Sequence, residues 1–145
     1  MEKENRIYTH EVQYYETDAM QIVHHSNYIR WMEEARLKHL EWAGLAYDKM
    51  EESGVIIPVL SASCEYKVAT RYGETVKIFP EIVNFNGLRF EVSYRITSMD
   101  ETVLHAVGTT SHCFLSRDMK PVNIKKCAPE IYEYFAAFRR KKSAE

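Results

Sequence analysis

Tyr14-Tyr15-Glu16-Thr17-Asp18-Ala19-Met20-Gln21-Ile22-Val23-His24-His25-Ser26-Asn27-Tyr28, running into Ile29-Arg30-Trp31-Met32-Glu33-Glu34-Ala35-Arg36, is the stretch that decides how this chain reads. A β-favouring segment ends at an acid, a short apolar link follows, and two histidines precede a helix start. The first N–H groups of a helix point outward, and the helix dipole favours negative charge there. A carboxylate beside such an end can attack a polarised carbonyl, or activate a water against it.

Upstream, residues 6–17 read as a strand, with Ile7, Val12, Tyr14 and Tyr15 among polar neighbours. If extension persists to Asp18, then Tyr14, Glu16 and Asp18 share one face. Downstream, Ser26 fits an N-cap. From Asn27 to about Ala43 the apolar residues Tyr28, Trp31, Met32, Ala35 and Trp42 step by threes and fours, with Ile29 and Leu40 widening the stripe. That period predicts an amphipathic helix of roughly 25 Å, at 1.5 Å per residue, enough to cross a sheet face. Its outer face pairs Arg30 with Glu34 and Glu34 with Lys38, and Gly44 supplies the stop.

After a helical turn within residues 45–54 the period becomes strand-like. Val55–Ala69, Glu74–Phe85, Leu88–Ser98 and Thr102–Ser116 are rich in Val, Ile, Thr, Tyr and Phe. Turn chemistry separates them at Arg71-Tyr72-Gly73, Asn86-Gly87 and Met99-Asp100-Glu101, and Asn-Gly between two such runs predicts a tight hairpin. Asp118-Met119-Lys120-Pro121 forms a further turn. Pro129–Lys142 reads as a short terminal helix with Ile131, Tyr134, Phe135 and Phe138 on one side and the basic run Arg139-Arg140-Lys141-Lys142 at its end. Strand, long helix, four strands, short helix: this order predicts an α+β layer and not a βαβ unit.

With 145 residues the chain is expected to be one domain, 1–145. Nineteen basic against 21 acidic residues give a net charge of −2, which argues against a chain-wide grip on nucleic acid. No run approaches the roughly 18 apolar residues of a membrane span. Met1-Glu2-Lys3-Glu4-Asn5-Arg6 lacks an apolar signal core, so a cytoplasmic setting is expected. Cys64, Cys113 and Cys127 are odd in number without a C-x-x-C pair, so buried or half-buried reduced thiols are expected. Asp18, His24 and His25 lack a recognised metal-ligand spacing, and no metal is expected.

The pattern Tyr-x-x-x-Asp-x-x-x-x-x-x-His-x-Asn-Tyr, followed by Glu33-x-Ala35-Arg36, resembles the hotdog-fold acyl-CoA thioesterases, nearest the 4-hydroxybenzoyl-CoA and Tol-Pal-associated branches. The resemblance implies a five-stranded antiparallel sheet wrapped on one long helix. It also implies an acyl-CoA substrate, with CoA part of the substrate and no separate cofactor. Subunits would pair as a homodimer or dimer of dimers, with active sites at the subunit boundary. Exposed sheet edges make such pairing physically sensible.

The resemblance further implies roles. Asp18 would be nucleophile or general base, and the His25 N–H would polarise the thioester carbonyl. Tyr14 would orient the acid. Asn27 would fix the loop or a neighbouring main-chain group, and Glu33 would face the acyl pocket. Ser61 and Ser63 would touch pantetheine. Arg71, in a segment similar to a family turn with Pro-Ala-Arg-Tyr, would meet nucleotide phosphate, with Arg89 and the basic C-terminal run as alternatives. Two positions depart from the family pattern. Gln21 stands where relatives hold a glycine that frees the backbone for positive φ, and Ala69 replaces a proline. Other readings in the same fold are a carrier-protein thioesterase, a non-catalytic acyl-thioester binder, and a dehydratase or hydratase.

Overall fold

The computed structural model describes residues 6–139, so the basic run expected from Arg140 onward lies outside the described residues. Helix α1, Ser26–Trp42, forms where the three- and four-residue apolar steps place it. It buries Tyr28, Trp31, Met32, Ala35 and Leu40. Its end is a paired-bond stop: Leu45 N–H donates to the Leu40 carbonyl and Gly44 N–H to that of Glu41. Gly44 takes φ of 90°, the left-handed conformation such a cap requires, and Leu40 and Leu45 are both buried beside it.

Helix α2, Tyr47–Ser53, is followed by strands β2 (Val59–Tyr66), β3 (Thr75–Phe85), β4 (Arg89–Ser98) and β5 (Leu104–Cys113). With β1, Tyr8–Glu11, they form one five-stranded sheet in the order β1-β3-β4-β5-β2. β1 runs antiparallel to β3, with Tyr8 opposite Ile78 and Glu11 opposite Thr75. The architecture is the α+β arrangement expected: an antiparallel sheet with one long helix. Short helices α3 (Ile124–Cys127) and α4 (Pro129–Phe138) close the described chain. The Asn86-Gly87 hairpin is present, with Gly87 at φ of 90° and Asn86 Oδ1 accepting the Leu88 and Arg89 amides.

The structure corrects some expectations. The first strand stops at Glu11 because Glu16 Oε1 turns back to accept the Gln13 N–H at 2.9 Å, winding Tyr14–Glu16 into a 3-10 turn. Tyr14, Glu16 and Asp18 therefore do not share a strand face. Glu34, expected only on the outer face of α1, also reaches β1, accepting from Tyr8 Oη at 2.7 Å and lying 3.7 Å from His10 Nδ1. All three cysteines are free, but Cys127 is exposed, not buried.

Contacts cluster into two compact units, through both of which α1 and β2 to β5 run. Of the described residues, the first comprises 6–39, 63–80 and 94–109, and the second 40–62, 81–93 and 110–139. In the first, Gly108 lets α1 approach β5, since a Cβ there would meet Met32 Sδ at 2.6 Å and the Ser63 carbonyl oxygen at 2.7 Å. The second is centred on Phe85, Phe90, Phe114 and Phe135, whose ring centroids lie 4.3–6.3 Å apart in five close pairs. Ile131 and Phe135 anchor α4, whereas Tyr134 and Phe138, expected on the same side, pack on each other at 5.1 Å.

Candidate active site

The link between the 3-10 turn and α1 is a small hairpin. Thr17 bridges Val23, Asp18 N–H donates to the Ile22 carbonyl, and Gln21 N–H donates back to the Asp18 carbonyl. Three residues, 19–21, form its tip, and Gln21 adopts φ of 67°. This is the geometry of a tight turn followed by a left-handed residue, a position that favours glycine. Asp at the first position suits it, because the side chain can hold the turn. Accordingly Asp18 Oδ1 accepts the Met20 N–H at 2.8 Å. The other carboxylate oxygen of this half-buried residue has no hydrogen-bond partner among the described residues.

Left-handed backbone costs a residue with a side chain about 1–2 kcal/mol, while glycine loses part of that gain through unfolded-chain entropy. Gln21→Gly should therefore stabilise the protein by about 0.5–1 kcal/mol, read as a higher midpoint in urea. A lower midpoint would mean that the Gln21 side chain offsets the strain.

The hairpin is clamped at both ends. Glu16, 6 % exposed, receives the Gln13 amide at 2.9 Å, His10 Nε2 at 2.9 Å and the Trp31 indole N–H at 3.0 Å. Burial alone would raise its pKa. The hydrogen bonds from Gln13, His10 and Trp31, with the attraction of His10, bring it below the ordinary carboxylate value. The Glu16 carbonyl in turn accepts the His24 N–H at 2.8 Å and Asn27 Nδ2 at 2.9 Å. On the far side, buried Thr70 accepts the Val23 N–H at 2.8 Å through its carbonyl, and its hydroxyl lies 3.0 Å from Tyr28 Oη.

At the helix start the His24 ring takes the capping part expected of Ser26: Nδ1 accepts the Ser26 N–H at 3.1 Å. The two histidine rings stack at 4.2 Å, both residues exposed. The N–H groups of His24, Ser26 and Asn27 all have acceptors; that of His25 has none among the described residues. The His25 carbonyl accepts from Tyr66 Oη at 3.4 Å. A carboxylate oxygen and a helix-start amide, both without hydrogen-bond partners among the described residues, thus flank one clamped hairpin. Such a pair can bind and attack a carbonyl.

The other sequence candidates are spread more widely. Tyr14 is 75 % exposed, and its ring meets Tyr72 edge-on at 5.8 Å instead of the acid. Glu33 is exposed on α1. Arg71 is exposed in a turn where its N–H donates to Glu74 Oε1. Ser63 Oγ pairs with Thr109 Oγ1 at 2.8 Å in the first unit, and Ser61 Oγ with Ser111 Oγ at 2.5 Å in the second. Arg89 lines a groove of about 460 Å³ in the second unit, with Asn84, Glu91, Ser111 and Leu60. The residue that sequence reasoning passed over is Glu16: its burial follows from the 3-10 turn, and no periodic pattern announces that turn.

Comparison with known proteins bears on this geometry. The profile of the thioesterase-like superfamily matches residues 12–135. A protein of Aquifex aeolicus (strain VF5), provisionally described as an esterase, is 38% identical over 125 residues, 86% of this chain and 95% of the relative. A Bacillus subtilis (strain 168) protein, provisionally named acyl-CoA thioesterase YneP, is 36% identical over 121 residues, 83% of this chain and 87% of the relative. Among solved structures, the DHNA-CoA thioesterase of Staphylococcus aureus superposes with a TM-score of 0.83 at 31% identity, covering 90% of this chain and 88% of that one.

Proposed function

We propose, because the chain belongs to the thioesterase-like superfamily, that it hydrolyses the thioester of a small or medium acyl-CoA to the free acid and CoA. The observation that carries this reading is the half-buried Asp18, one oxygen held by the Met20 amide, on the hairpin that leads into the His25 N–H, the other oxygen and that N–H having no hydrogen-bond partner among the described residues.

In the reaction the thioester carbonyl oxygen accepts the His25 N–H, which stabilises the charge that grows there. Donors of this kind are worth about 2.7–4 kcal/mol in other enzymes. Asp18 takes a proton from the attacking water, or attacks the carbonyl carbon itself and is freed by water afterwards. In the first route the water's C–O bond forms and the C–S bond breaks. The proton that Asp18 took passes to the departing thiolate, while the other water hydrogen stays on the acid. In the second, an Asp18 oxygen bonds the carbonyl carbon as the C–S bond breaks. Water then splits that anhydride, giving one hydrogen to the acid and releasing the other as the proton the thiolate takes up. Arg71 or Arg89 meets the nucleotide phosphates, Ser61 and Ser63 the pantetheine, and Glu33 the acyl end. Asn27 supports the loop through the Glu16 carbonyl. Tyr14 flanks the site with Tyr72.

The working unit is a homodimer or a dimer of dimers. Strand β2 is an edge, and its Val59, Leu60 and Tyr66 are about half exposed, a surface suited to pairing with a second copy. Three free thiols fit a reducing, cytoplasmic setting.

A panel of CoA esters graded by acyl length and aromaticity, beside the same acyl groups on a carrier protein, tests the substrate assignment. Thiol release should give kcat/KM highest for one class of CoA ester. Faster release from the carrier protein would transfer the activity to that partner, and saturable binding without release would replace the enzyme by a binder.

A further inference from the structure

Glu16 is the one carboxylate in the described hydrogen-bond network that is both buried and shared among three donors, and nothing in the reaction above uses it. Its position is unusual for a merely buried acid. The side chain ties β1 (His10), the 3-10 turn (Gln13) and α1 (Trp31) together, while its own carbonyl ties down His24 and Asn27. Only Thr17 separates it from Asp18 in one direction of the hairpin; His25 follows His24 in the other. A displacement of Glu16 therefore moves both reacting ends of the hairpin at once.

We propose that Glu16 is a positioning residue: its buried carboxylate, held by Gln13, His10 and Trp31, sets the Glu16 carbonyl that clamps His24 and Asn27, and so fixes the spacing between Asp18 and the His25 N–H. This inference rests on the thioesterase reading of the site. Every group facing the carboxylate is a donor, so only an acceptor with two equivalent oxygens satisfies all three. An amide in its place sets an NH₂ against one of those donors, which costs a hydrogen bond and adds a repulsive contact.

The groups around it account for its charge. His10 Nε2 contacts it at 2.9 Å, the His10 ring packs on Trp31 at 4.9 Å, and Glu34 lies 3.7 Å from His10 Nδ1.

The test is Glu16→Gln with Trp31→Phe as partner change, each purified and shown to be folded. Glu16→Gln should lower kcat about 10-fold or more, leave KM within about 2-fold, and speed hydrogen exchange at the His24 amide, which the Glu16 carbonyl protects. Trp31→Phe, which removes the indole donor opposing the new NH₂ along with part of a buried ring, should return at least part of kcat when combined with it. An unchanged kcat in folded Glu16→Gln, or unaltered His24 exchange, overturns the proposal. Should Glu16→Gln fail to fold, Asn27→Ala removes one clamp without touching the buried charge. A fall in its kcat supports the proposal and an unchanged kcat overturns it. If the wild-type protein releases no thiol at all, the thioesterase reading fails instead, and His24 exchange alone decides whether Glu16 orders the hairpin.

Discussion

Asp18→Asn should lower kcat for thioester hydrolysis by about 10²–10⁴-fold, the range a positioned acid or base contributes, with KM changed only a few-fold. The substitution separates two roles that the structure joins in one residue. Asp18 Oδ1 accepts the Met20 N–H and so shapes the turn. An asparagine oxygen can do the same, but a neutral amide neither takes a proton from water nor attacks a thioester. Asp18→Ala removes both roles and leaves the Met20 amide without its acceptor, so it should also lose up to about 1 kcal/mol of stability, as for a lost local cap. Stopped-flow thiol release on the two variants, beside urea unfolding, separates chemistry from turn formation. If Asp18→Asn turns over as fast as wild type, the acid is only a turn former.

The second large effect concerns stability. Phe114→Ala should destabilise the protein by about 3–5 kcal/mol, the usual loss for a buried phenylalanine. Phe114 has no exposed surface. Its ring lies 5.3 Å from Phe90, 5.4 Å from Phe135 and 6.3 Å from Phe85, so its removal opens a cavity that three rings cannot all close. Against a total of about 5–15 kcal/mol for a domain, that is a large fraction. Urea titration should show a lower midpoint at an unchanged slope. A loss under about 1 kcal/mol would mean that α4, carrying Phe135, collapses into the space.

Local signals made most of this architecture readable from residues alone. The three-and-four spacing from Tyr28 to Trp42 and the glycine at 44 placed α1 to within a residue of its observed ends. Asn86-Gly87 placed the β3–β4 hairpin because glycine alone takes its φ of 90° freely. The limits of the strands were overestimated where β-favouring residues lie outside the continuous ladder, as Val55 to Ile57 do before β2, with Ile56 paired only by an isolated bridge to Leu115.

What escaped was long-range and chemical. Tyr14 and Glu16 alternate as a strand would, yet a single side-chain bond from Glu16 to the Gln13 amide turns that segment into a 3-10 turn. One residue becomes 75 % exposed and the other buried, and no composition rule separates them in advance. The departure at Gln21 was visible as a missing glycine, and its consequence, a left-handed glutamine, follows from the hairpin. Ser61, Ser63, Arg71 and Arg89 were singled out for chemistry toward phosphate and pantetheine. Their placement depended on strand register, which sequence period does not set.

The central claim is that this hairpin breaks thioesters rather than merely holding them. Free CoA and free acid should be counted together as the wild-type protein acts on its best acyl-CoA ester at large substrate excess. The two products should accumulate mole for mole through many equivalents per chain; one bound equivalent of intact ester, with neither product formed, would contradict it.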